Sequence, residues 1–225
     1  MEQLFLQTST LTGHWNVVII FQFTEQTVWG YKMLRKFNLF VSVNRGFEKA
    51  ACGVMKALLK ELGDETPIVD KTYASGLIVA LTNLKPFEVI ARIQELIQAR
   101  EFHYAHLLKI RPIMQTFPLD LERVRTVCRD LAEKYIKRDE TFRITLERRF
   151  TELPREKIIE AAAAEINRKV QLENPDKVVF IGVLANICGV SILQVADTLS
   201  IIKEREKVDF TAFMDQLKDF KTKQD

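Results

Sequence analysis

Few residues in this chain of 225 have the types and spacing that chemistry needs. It holds three histidines, His14, His103 and His106. His103 and His106 flank the start of a strand-like run. Residues three apart on a strand face opposite sides, so the two are poor co-ligands for a metal. Cys52, Cys128 and Cys188 stand far apart in apolar or helical surroundings. Their spacing suits no zinc site, and an odd number is a poor disulfide framework. They read as small buried hydrophobes in a reducing compartment. Carboxylates are plentiful but sit beside Lys or Arg on helix faces. That is the pattern of solvated i,i+4 pairs rather than of a general acid and base. The eight glycines form neither a Gly-x-Gly-x-x-Gly nor a Gly-x-x-x-x-Gly-Lys-Ser/Thr loop, and there is no Gly-x-Ser-x-Gly elbow. No catalytic residue, no metal ligand set and no cofactor is therefore expected.

The basic residues are more informative. Lys109 and Arg111 sit on a strand-like run. Arg123, Arg125, Arg129, Lys134, Lys137 and Arg138 line the next helical segment and its end. Arg143, Arg148 and Arg149 bracket a further strand, and Arg168 and Lys169 end an Ala-rich helical segment. Cations at helix C-termini are favoured by the macrodipole, which gives Lys137, Arg138, Arg168 and Lys169 a local explanation. Arg148-Arg149 has none of that kind. It precedes Thr151-Glu152-Leu153-Pro154, a helix approach whose backbone N–H groups could donate to a phosphate. Several such cations together can grip a nucleic-acid backbone without reading bases.

Bulk properties bound the class. The chain can hold one large or two small domains. It is 47% hydrophobic and 28% charged, which is ordinary for a globular protein. A net charge of +3 is compatible with a nucleic-acid partner but does not by itself argue for one. The apolar run Val17–Phe21 is far shorter than the roughly 20 residues of a membrane span. With no basic leader and no small-residue cleavage site, the expected location is cytoplasmic.

The elements that must position these residues follow from periodicity. Residues 1–36 read as a leader, rich in Thr, Gln and aromatics. Either 1–32 is a gene-start artefact with a native start at Met33, or Val17–Phe23 adds a hairpin strand to a sheet edge. From Phe37 the pattern is regular. Phe37–Val43 is a strand, Phe47–Leu62 an amphipathic helix ended by Gly63-Asp64. Ile68–Tyr73 and Leu77–Leu81 form a hairpin. Pro86 opens a second helix, and Tyr104–Ile113 is a closing strand. Strand, helix, strand, strand, helix, strand is the split βαβ or ferredoxin-like order, an antiparallel sheet with helices on one face. A second unit follows: a helix over Asp120–Lys134 with Asp120 as N-cap, a strand Thr141–Leu146, and a helix Pro154–Lys169 favoured by Ala161–Ala164. The turn Asn174-Pro175-Asp176 then leads to strands Lys177–Gly182 and Cys188–Leu193. Gln194–Asp225 reads as two short charged helices around Asp209.

This second unit resembles the THUMP domain, a tRNA-binding module of RNA thiolation, methylation and acetylation systems. The resemblance rests on Phe142-Arg143-Ile144-Thr145-Leu146-Glu147-Arg148-Arg149, on Lys169-Val170-Gln171-Leu172-Glu173-Asn174-Pro175-Asp176, on Val178-Val179-Phe180-Ile181, and on Gly189-Val190-Ser191-Ile192-Leu193. Gln171 and Gly182 replace acidic residues of the family pattern. The resemblance implies an α+β chain with an N-terminal ferredoxin-like domain over 37–113, an α/β THUMP domain over 114–193, and charged C-terminal helices over 194–225. It implies docking on the tRNA acceptor end, with Lys109, Arg111, Arg143, Arg148, Arg149, Arg168, Lys169 and Asn174 as the RNA-binding residues. Only 32 residues follow Leu193, so the subfamily it resembles is the stand-alone adaptor that presents tRNA to a separate cytidine N4-acetyltransferase.

Three functions are thus set against each other. The leading expectation is a non-catalytic tRNA-binding adaptor with an acetyltransferase partner. A self-sufficient RNA-modifying enzyme would need a cofactor pocket and an acid or base. A protein-interaction scaffold using Gln194–Lys223 would bind no RNA.

Overall fold

The structure, a computed structural model, describes residues 34–222, with side chains of the last helix described to Thr211. Both readings of the leader concern residues outside this range, apart from Leu34–Lys36.

Two sheets carry the architecture. The first contains β1 (Leu39–Val43), β2 (Ile68–Lys71), β3 (Leu77–Leu81) and β4 (Leu107–Pro112) in the order β4-β1-β3-β2, with all neighbours antiparallel. Helices α1 (Glu48–Glu61) and α2 (Pro86–Gln98) cross one face. Their apolar positions Met55, Leu58, Leu59, Ile90 and Ile93 bury against Leu39, Val41, Ile78 and Ile110. This is the split βαβ order that the alternation of 2- and 3.6-residue periods predicts.

β4 starts three residues later than the apolar run suggests. His106 sits at φ +68, which breaks the extended run, and its carbonyl accepts from the Asn44 backbone N–H at 3.0 Å. The chain then crosses to the second sheet through an unanticipated strand, β5 (Gln115–Pro118). That sheet also contains β6 (Thr141–Arg149), β7 (Lys169–Val170), β8 (Lys177–Leu184) and β9 (Ile187–Leu193), in the order β5-β9-β8-β6-β7. β6 is parallel to both β7 and β8, and β9 is antiparallel to its neighbours. Helices α3 (Leu121–Tyr135) and α4 (Arg155–Ala163) cover its outer face through Val124, Cys128, Leu131, Ile158 and Ala162. Asp120 caps α3 as expected, accepting from the Arg123 N–H at 2.8 Å.

The inner faces of the two sheets pack on each other. Phe37, Phe40, Leu77, Val79 and Ile113 of the first meet Val178, Phe180, Leu184, Ile187 and Leu193 of the second. The molecule is therefore layered as helices, sheet, sheet, helices. Gly182 and Gly189 are cross-strand partners in the middle of this interface. A Cβ on Gly182 would lie 3.1 Å from the Phe40 ring, and one on Gly189 3.1 Å from Ile113. The residue that departs from the family pattern at 182 is thus a small one because Phe40 fills its place.

Two further expectations are corrected. The Ala-rich helix stops at Ala163 instead of reaching Lys169, and Lys169 begins a strand paired with Thr141. Ile166 is buried with the core and Val170 pairs with Phe142, so sheet pairing overrides the helix propensity of the segment. The tail is not a pair of helices around Asp209. After a 3-10 turn at Val195–Asp197, β10 (Leu199–Ser200) pairs with β4 at the edge of the first sheet. One helix, α5 (Ile201–Thr222), follows. Arg205 of α5 donates to the Phe102 carbonyl at 3.0 Å, which ties the helix to the end of α2.

Candidate nucleic-acid interface

Alternation along β6 sorts its cations. Phe142, Ile144 and Leu146 face α3 and α4, and Arg148 continues that row. Arg143, Thr145, Glu147 and Arg149 face the side of the first sheet. There Arg111 of β4 reaches across and pairs with Glu147 at 2.9 Å. Arg111 is only 8% exposed, and its guanidinium lies 4.8 Å from the centre of the Phe180 ring. Burial pulls its pKa down and Glu147 opposes the shift. Its charge is neutralised inside the protein, so Arg111 is not part of an open cationic surface.

The residues around this pair are more accessible. Arg149 is exposed and lies 3.6 Å from the second Glu147 oxygen. Lys109, half-buried, precedes Arg111 on the same face of β4. Burial first, then the Arg111 and Lys203 charges, holds its pKa below the ordinary lysine value, and Glu147 acts in the other direction. Lys203 enters from α5, since β10 pairs Ser200 with Lys109. Lys109, Arg149 and Lys203 thus ring the Arg111–Glu147 pair, three cations around one neutralised core. Lys203 was absent from the sequence expectation. No periodic signal marks a two-residue strand that folds back on a partner about ninety positions earlier, so nothing local pointed to it.

The other expected residues divide. Arg148 donates to the carbonyls of Thr151 and Leu153 at 3.3 and 3.1 Å, and so shapes the approach to α4. Arg168 donates through Nε to the Ile136 carbonyl at 3.0 Å and clamps the end of α3. Lys169 is exposed on the edge strand β7. Asn174, exposed and at φ +48, turns the chain so that Asp176 can accept from the Thr141 N–H and hydroxyl, each at 2.7 Å. Those bonds hold the Asp176 carboxyl below its ordinary pKa. Arg143 donates to the Leu172 carbonyl at 3.2 Å. Arg143, Arg168, Lys169 and Asn174 therefore gather at the start of β6, and Arg148 and Arg149 at its end. At about 3.3 Å per residue those ends are roughly 26 Å apart. The expected set is two groups, not one patch.

Glycine loops over a pocket are one common way to hold the phosphates of a nucleotide cofactor. Among the described residues, Gly46, Gly63 and Gly76 serve turns at positive φ, Gly53 lies in α1, and Gly182 and Gly189 lie between the sheets. Two surface depressions, of about 310 and 270 Å³, have no glycine in their walls. No cluster of three or more His, Cys, Asp or Glu suited to a metal occurs among the described residues.

The family model described as the THUMP domain matches residues 119–193. The chain carries a THUMP domain. It comprises α3, α4 and β6 to β9, together with the Asn174-Pro175-Asp176 turn. No curated protein sequence matches the chain. Among solved structures, PH1313 from Pyrococcus horikoshii Ot3 is 19% identical with a TM-score of 0.53, covering 72% of this chain and 55% of that one. TrmN from Thermus thermophilus is 12% identical with a TM-score of 0.48, over 73% of this chain and 46% of that one. A 4-thiouridine synthetase, solved as an RNA complex with bound ATP, is 14% identical with a TM-score of 0.47, over 73% and 42%. The chain spans about half the length of the structures it matches.

Proposed function

We propose that this chain is the RNA-binding portion of an RNA-modifying enzyme, with tRNA as its RNA. The expectation of a non-catalytic adaptor for a separate acetyltransferase is overturned by the comparisons. The structures the chain resembles include an enzyme, the 4-thiouridine synthetase in complex with RNA, and the enzyme reading replaces the adaptor. The observation that carries RNA binding is the ring of Lys109, Arg149 and Lys203 at the seam between the sheets, next to a THUMP domain. Exposed cations around an already neutralised pair leave net positive charge for phosphates. Arg143 and Lys169 form a second cationic group at the other end of β6, beside the Asn174 turn. Cytoplasmic location is part of the same proposal. No helix among the described residues is long and apolar enough to cross a membrane.

The test joins binding to modification. Affinity for whole tRNA is measured at two salt concentrations for the wild type and for a Lys109→Ala/Arg149→Ala variant. In parallel, nucleosides of tRNA from cells lacking the protein are analysed by mass spectrometry, with each form supplied back. The expected result is weaker, less salt-sensitive binding by the variant, and one modified nucleoside that only the wild type restores. An unchanged nucleoside profile in the deletion removes the enzyme reading, and unchanged affinity removes the site.

A further inference from the structure

At the β4 end remote from Arg111, an aromatic pair stands on the surface. The rings of Phe47 and His106 stack at 4.3 Å with an interplanar angle of 11°. Phe47 is 49% exposed although it is a large apolar side chain, and it makes no side-chain cap bond at the start of α1. His106 is held in its left-handed conformation by the Asn44 bond, and its Nδ1 has no hydrogen-bond partner among the described residues. Arg45 and Lys49, both exposed, flank Phe47 in the chain. The neighbouring carboxylate Glu48 is engaged by the N–H groups of Gly46 and Gly76 and by the Ser75 hydroxyl. Lys109 lies three residues after His106 in the chain, on β4.

We propose that the Phe47–His106 pair is a stacking platform for an unpaired nucleotide of the RNA held at the Lys109–Arg149–Lys203 ring. This rests on the RNA-binding reading above and adds a second contact point in the first sheet, outside the THUMP domain. Three features favour a nucleotide over an apolar peptide. The rings are already parallel and Phe47 is half exposed, so the pair offers an aromatic surface to a flat base. The surroundings are cationic, which suits the phosphate attached to that base. His106 directly precedes β4, the strand that carries Lys109, so the platform adjoins the strand of one member of the cation group. A base stacked on an aromatic ring is held without sequence preference, because every base has a π face.

The experiment uses the full chain, a hairpin RNA with a blunt end and the same hairpin with a four-nucleotide single-stranded overhang carrying 2-aminopurine. The wild type is expected to bind the overhang form tighter and to quench the probe. Phe47→Leu keeps apolar bulk and should lose roughly tenfold of affinity for the overhang form and the quenching, with the blunt form unaffected. Phe47→Tyr should restore both. Equal overhang binding and quenching by wild type and Phe47→Leu overturns the platform and leaves the RNA-binding reading standing. Absence of binding to either RNA by the wild type overturns both. Thermal unfolding of each variant separates loss of the platform from loss of fold.

Discussion

Arg111 and Glu147 belong to different sheets and form a 2.9 Å ion pair across the interface between them. Their side chains are only 10% and 19% exposed. The sheet interface is otherwise mostly apolar, with Ser191 buried on the same face of β9 as Ile187 and Leu193, so this pair favours one orientation of the sheets where aromatic contacts alone tolerate sliding. Glu147→Gln leaves a buried guanidinium without its counter-charge and is expected to cost about 3 kcal/mol. Arg111→Met combined with Glu147→Leu is expected to cost much less, because no charge is left alone. Urea unfolding of the three proteins checks the order.

Gly182 and Phe40 set the spacing of the same interface. Gly182→Ala puts a methyl group 3.1 Å from the Phe40 ring and is expected to destabilise by about 1–3 kcal/mol. Phe40→Leu, destabilising alone, should relieve part of that penalty in the double variant. The measurement is a double-mutant cycle from thermal unfolding, where additive losses would mean the two residues do not press on each other.

Arg168 and Arg149 should respond differently to removal. Arg149→Ala is expected to reduce the slope of log affinity against log salt by roughly 0.7–0.9, the loss of one phosphate contact. Arg168→Ala removes the clamp on the Ile136 carbonyl, so stability falls while the salt slope holds. RNA titrations at several salt concentrations, beside unfolding curves, distinguish the two.

Glu48 makes folding sensitive to acid. Bonds from Gly76, from its own backbone N–H and from Gly46, with the Ser75 hydroxyl, lower its pKa from the ordinary 4.5 to about 2. The folded value is the lower one, so the contribution is complete above pH 4.5 and is lost as pH falls toward 2. Glu48→Gln should flatten the stability curve in that window and leave its shape near neutrality unchanged. Unfolding measured between pH 2 and 6 checks the sign.

Local signals were enough for much of this protein. The strand β3, the Pro86 helix start, the Asp120 cap and the Asn174-Pro175-Asp176 turn each carry a signal within a few residues, and each is where its residues predict. The α+β class was legible because period-2 and period-3.6 patterns record which face is buried, and the THUMP segment because the motifs Phe142–Arg149 and Lys169–Asp176 resemble that family's. The Ala-rich helix was overextended because propensity counts residues one at a time and cannot see Lys169 pairing with Thr141. The C-terminal segment was misread because the two residues of β10 have no period to detect.

The site depended most on tertiary structure. Lys109, Arg111, Arg143 and Arg149 are all cations in the sequence, equal in kind. Only the packing of the sheets decides that Arg111 is buried against Glu147, and that Lys203 arrives beside Lys109 to replace it on the surface. The sequence alone determined most of the long strands and helices and several turns, because their signals come from neighbours in the chain, though not every boundary. Which charges face solvent and which face each other depends on neighbours in space, and that was decided by the closing of one sheet on the other.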